Sequence, residues 1–108
     1  MYEPSRCLMS FYIAGVQFWN AALVINQMRV GDELEIVPET DNPHDSSAIA
    51  LRYKGEKLGF VPQQMNEEIS LLCFYGHGNI LEARVQQVDT TAAPWEQIRV
   101  GIYIKDAR

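Results

Sequence analysis

A mainly β chain of α+β class, wound into a small barrel with one clear helix, is the fold this sequence predicts, on three observations. Short runs rich in branched and aromatic residues recur along the chain, turn clusters separate them, and a single stretch carries a sustained helical stripe. About six strands in 108 residues leave open edges unless the sheet curls on itself, so a closed or nearly closed barrel is expected. That length suits one domain, predicted over residues 9–104, with tails at 1–8 and 105–108.

The first strand is expected over Leu8 to Phe18, with Gly15 marking a bulge or a close backbone approach. Asn20 to Met28 places Leu23, Gln27 and Met28 at helical spacing but is short, so a short second helix and a loop both fit. Gly31 and Asp32 signal a turn, after which Glu33 to Val37 alternate as a half-solvated strand ending at Pro38. Ile49 to Tyr53 forms a third strand, and Lys54 to Lys57 connects it as a hairpin to Leu58 to Val61, stopped by Pro62. Over about residues 64–75, Met65, Ile69, Leu72 and Cys73 follow the stripe of an amphipathic helix. Glu67 and Glu68 suit its N-terminal end, and Gly76 and Gly78 stop it. The last strands fall at Ile80 to Val88 and Ile98 to Ile104. An order of four strands, a helix and two strands excludes a doubly wound sheet, which needs a helical crossover between parallel neighbours. An OB-like or SH3-like barrel remains.

With 47% hydrophobic and 21% charged residues, the composition is that of an ordinary globular domain. The formal charge of −5 makes diffuse attraction to a polyanion weak, so any such contact must be local. No apolar run is long enough to cross a bilayer and the first residues do not read as a secretory signal, so a cytoplasmic protein without membrane contact is expected. Cys7 and Cys73 then read as reduced, buried thiols. Together with His44 and His77 they are four potential zinc ligands, but no spacing pre-pairs any two, and neither metal nor cofactor is expected. Phosphate-cradling, nucleophile-elbow and zinc-protease motifs are absent from the sequence. Asp41 and Asp45 could meet as a carboxylate pair, yet a solvated acidic turn is the commoner outcome, and no enzyme is predicted.

Two features bear on binding. The polar loop from Glu39 to Ile49 holds Asn42, Pro43 and Asp45, which suffice to build a turn; its donors and acceptors could equally grip a ligand's hydroxyl or amide edge. In Gln17-Phe18-Trp19-Asn20, strand alternation sends one ring to the core and the other to the rim. Alternatively the rings form a platform on which bases stack, a route open to an acidic protein.

The blocks Tyr12-Ile-Ala-Gly-Val-Gln-Phe-Trp, Glu39-Thr-Asp-Asn-Pro-His-Asp-Ser-Ser-Ala-Ile-Ala-Leu and Lys57-Leu-Gly-Phe-Val-Pro together resemble the HIRAN domain. This module occurs alone in bacteria or on the N-terminal side of certain SWI2/SNF2-type DNA-remodelling ATPases. The resemblance runs from about Met9 to Ile104 and implies an OB-like barrel that captures the 3′ end of single-stranded DNA, in a DNA-repair setting. Matched by motif, Phe18 and Trp19 take the place of the stacking aromatic pair, Asn42 and Asp45 that of the loop holding the terminal nucleotide, and Trp95 that of a further aromatic. An ionised Asp45 can accept from a 3′-hydroxyl but repels a 3′-phosphate. Gln17 and Gln63 stand where the DNA-end-binding members carry an Arg and a Lys, so two cationic phosphate contacts become neutral amides. The rival expectation is a protein-interaction or self-association module using the same barrel mouth, since exposed aromatics anchor interfaces and an acidic rim suits a basic partner.

Overall fold

The computed structural model describes residues 5–105; the outer ends of the two expected tails, 1–4 and 106–108, lie outside the described residues. Six strands form one antiparallel sheet in the order β1-β6-β5-β2-β3-β4. They are β1 (Ser5–Tyr12), β2 (Glu33–Pro38), β3 (Ile49–Tyr53), β4 (Glu56–Phe60), β5 (Leu81–Val88) and β6 (Ile98–Lys105). Alternation sets the inner face: Leu81, Ala83 and Val85 of β5 and Ile98, Val100 and Ile102 of β6 are buried, while their neighbours, the buried Gly101 apart, are more open. Ile13, Ile49, Leu51, Leu58 and Ile69 complete the centre of this core.

The curl brings the outer strands β1 and β4 together at one place. Past the end of β1, Ile13 still donates to Ile98 of β6, but the next residue changes partner, and Ala14 and Phe60 exchange both backbone hydrogen bonds, at 2.8 and 2.9 Å. Gly59 makes this approach possible. Its φ is +152°, and a Cβ there would sit 2.4 Å from the Ala14 carbonyl oxygen. Among the described residues the barrel is thus closed by the Ala14–Phe60 bridge and is otherwise an open, curled sheet.

Leaving the sheet at Ala14 shortens the first strand relative to expectation. Gly15 adopts a left-handed conformation and starts a 3-10 turn, Val16–Phe18, followed by the short helix α1 (Ala21–Val24) and a second 3-10 turn, Ile25–Gln27. Residues 16–18, read as strand from their composition, therefore turn out of the sheet. The predicted helix at 64–75 is likewise shorter: a 3-10 turn occupies Gln63–Met65 and α2 spans Glu67–Phe74. Pro62, in extended geometry, precedes the 3-10 turn, and Asn66 separates that turn from α2. Ile69 is fully buried beneath α2, with Met65, Leu72 and Cys73 packed beside it, so the predicted stripe is the face that covers the barrel. Cys7 departs from expectation: it lies exposed on β1, next to the register slip between Cys7 and Met9, and Cys73 is only half-buried.

Candidate functional site

The polar loop between β2 and β3 is built by its own side chains. Glu39 donates its backbone N–H to Ala48 at 2.9 Å and closes the base. Within it, Asn42 Oδ1 accepts from the backbone N–H groups of His44 at 2.8 Å and Asp45 at 3.1 Å, an Asx turn that needs Asn ahead of Pro43. Asp45 uses Oδ1 to accept from Ser47 N–H at 2.9 Å and Oδ2 to accept from the Asn66 side chain at 2.8 Å. The turn-building reading of these residues is therefore realised in full. An ionised carboxylate offers about four acceptor positions, so Asp45 keeps capacity beyond these two bonds.

Between this loop and the seam of the barrel lies a cavity of about 260 Å³. Ala14, Ala48, Phe60 and Val61 make its walls, and Asn42, His44, Asp45, Gln63 and Asn66 supply polar groups. Three of the predicted residues, Asn42, Asp45 and Gln63, thus meet at one opening. A larger cleft of about 490 Å³ beside Glu33–Val37 contains none of them.

The remaining predicted residues sit on the turns next to the seam. Phe18 is 75% and Trp19 42% exposed, so neither ring enters the core as strand alternation had suggested; the 3-10 turn presents both outward. Gln17 is exposed on the same turn. Trp95, 61% exposed, lies on the Pro94–Glu96 turn, which packs against the Val16–Phe18 turn. Trp19 meets Phe60 edge to face, with ring centroids 5.9 Å apart, and this contact joins the aromatic group to the cavity wall.

Four residues at this site were not among the predicted binding residues, although His44 was weighed as a potential zinc ligand. His44 and Asn66 line the cavity, and Phe60 stands between cavity and Trp19. The fourth is Lys57, whose ammonium lies 3.8 Å from the Trp19 ring centroid and 4.3 Å from that of Phe60, and donates to Glu39 Oε2 at 2.6 Å. Phe60 and Lys57 fall within the Lys-Leu-Gly-Phe-Val-Pro block, which is where a signal existed. Asn66 had none, because its importance comes from its position opposite Asp45. Burial pushes the Glu39 carboxyl up, but the hydrogen bonds from Lys57 and Asn42 and the nearby positive charge outweigh it and hold it below the usual range.

The HIRAN domain family profile matches residues 8–105, nearly the whole chain. No curated protein sequence matches it. Among solved structures, the chain is similar to a protein from Lactobacillus plantarum at 18% identity, with a TM-score of 0.78 over 94% of this chain and 96% of the other. It is also similar to the HIRAN domain of human HLTF at 10% identity, with a TM-score of 0.66 over 94% of this chain and 78% of that one. At these identities the two structures speak for the fold, an OB-like barrel, and the profile match speaks for descent. The chain belongs to the HIRAN domain family.

Proposed function

We propose that this domain binds the 3′-hydroxyl end of single-stranded DNA and performs no catalysis. Its family is known generally as a nucleic-acid-binding module. The observation that carries the narrower reading is the juxtaposition of an apolar-walled cavity, rimmed by Asn42, Asp45 and Gln63, with outward-facing aromatic rings on the adjoining turns. A terminal base fits a space of this kind, and the preceding bases stack on Phe18 and Trp19, each stacked base contributing about 1–3 kcal/mol. The free acceptor capacity of Asp45 suits a hydroxyl donor and opposes a terminal phosphate. Gln17 and Gln63, both exposed, offer hydrogen bonds but no charge.

Titration of short oligonucleotides ending in 3′-hydroxyl or 3′-phosphate at low salt tests this reading. Preference for the hydroxyl end, with a shallow logarithmic salt slope of about −1 to −2, is expected. Equal or absent binding to both rejects end recognition.

A protein-interaction or self-association module is the second reading, at a groove beside α2 rather than at the barrel mouth expected from the sequence. Leu71, Phe74 and Tyr75 are 51%, 74% and 68% exposed, and they border a groove of about 450 Å³ with Pro38, Thr40, Ser46 and Ser47. Self-association that oligonucleotide does not alter, measured by sedimentation, favours it over the first.

A further inference from the structure

We propose that Lys57 is the cation with which this site holds a backbone phosphate, and that Glu39 is the internal anion the phosphate must replace. The proposal rests on the reading of the site as one for a DNA end. Among the described residues, no other lysine or arginine is hydrogen-bonded, ion-paired or stacked against Trp19, Phe60, Asn42 or Asp45. Arg52 reaches Glu39 through its charge alone, so, with a net charge of −5 and neutral amides at 17 and 63, Lys57 is the cation that the described residues place against the aromatic wall of the site.

Lys57 is connected to the cavity from two sides. Its ammonium lies over Phe60, a cavity wall, and its partner Glu39 also accepts from Asn42 Nδ2 at 3.3 Å, on the cavity rim. The ammonium has three N–H donors; one goes to Glu39, and the ring faces of Trp19 and Phe60 are weaker partners that a phosphate oxygen outcompetes. The Lys57 side chain is 12% exposed, so stranding its charge without a partner is costly. Exchanging one anion for another avoids that cost. Glu39, with its side chain 24% exposed, borders water and can be hydrated once released, and the four-carbon lysine stem lets the ammonium move. Glu39 then acts as a built-in competitor, lowering affinity for a strand whose phosphate must displace it from Lys57.

The test is fluorescence anisotropy with a labelled single-stranded oligonucleotide ending in 3′-hydroxyl, over a salt series, using the full chain and the variants Lys57→Gln, Lys57→Arg and Glu39→Gln. Lys57→Gln is expected to weaken binding about tenfold and to bring the log–log salt slope toward zero by about 0.7, the value of one phosphate contact on a single strand. Lys57→Arg keeps the slope, and Glu39→Gln tightens binding severalfold. Circular dichroism identifies a Lys57→Gln protein that has not folded; the arginine and Glu39 variants then decide. Binding by all four proteins with one slope and no gain in Glu39→Gln overturns the role of Lys57 alone. Absence of binding by all four overturns the DNA-end reading and this proposal with it.

Discussion

Asn66 donates its side-chain N–H to Asp45 Oδ2 at 2.8 Å, tying the polar loop ahead of β3 to the residue that precedes α2. Asn66 is 3% exposed, so its amide is held largely away from water and anchors the loop from outside its own turn. Asn66→Ala removes the donor and leaves Asp45 Oδ2 short of a partner, at an expected cost of about 1–3 kcal/mol. Urea unfolding of the two proteins measures it; an unchanged midpoint means that the loop is held by its own turn alone. Because Asp45 serves the fold in this way, loss of binding in Asp45→Ala is informative only where the variant retains the native circular dichroism spectrum.

Gly59→Ala addresses the seam of the barrel. The new Cβ meets the Ala14 carbonyl oxygen at 2.4 Å and Ile13 Cγ2 at 2.7 Å, and φ of +152° is unfavourable for alanine in any surroundings. The backbone strain alone costs about 1–3 kcal/mol, and the collision with main chain cannot be relieved by a side-chain rotation. Hydrogen exchange should show the Ala14 and Phe60 amides losing protection first, since they form the bridge. Uniform loss across all strands would contradict a local opening of the seam.

Phe18 and Trp19 differ in what their removal should do. Phe18 is 75% exposed, so Phe18→Ala is expected to leave stability within about 0.5 kcal/mol of the parent while losing tenfold or more in oligonucleotide affinity, the worth of about one stacked base. Trp19 also touches Phe60 and lies under the Lys57 ammonium, so Trp19→Ala should cost about 1–2 kcal/mol of stability as well. Thermal unfolding and anisotropy on the same samples separate the two effects; equal stability losses would mean that the exposure difference carries no energetic weight.

Glu39 gives the fold a defined acid sensitivity. Its carboxyl titrates below its ordinary value of 4.5, so the unfolded chain takes up a proton before the folded one does. The stabilisation is therefore complete above about pH 5 and is lost as the pH falls from the unfolded value through the lower folded one. Glu39→Gln lacks this contribution at all pH values. The stability difference between parent and variant, measured by denaturant unfolding from pH 7 to pH 3, should shrink over that interval; a constant difference would show that the Lys57 and Asn42 bonds do not depend on the charge of Glu39.

Much of the barrel was legible because strand alternation and turn chemistry are local. β3 spans Ile49–Tyr53 as read, and β2, β5 and β6 differ from expectation by a residue at one end. The departures occur where a tertiary contact competes with composition. Val16, Gln17 and Phe18 look like strand residues, but the exchange of hydrogen bonds between Ala14 and Phe60 turns the chain out of the sheet just before them. The same event faces both aromatic rings outward, which alternation along a continued strand would have prevented.

By itself the sequence determined about how many strands there are and their order along the chain, the buried helical stripe, the turn at Asn42, Pro43 and Asp45 and the family to which the chain belongs, since each of these is written in residues close together along the chain or in a motif's own spelling. Only the folded molecule decided that the loop and the seam share one opening with the aromatic turn beside it, and that Lys57 stands beside Trp19, Phe60 and Glu39 there. Those neighbours are contributed by segments far apart in the chain, and closure of the barrel is the step that sets the distances between them.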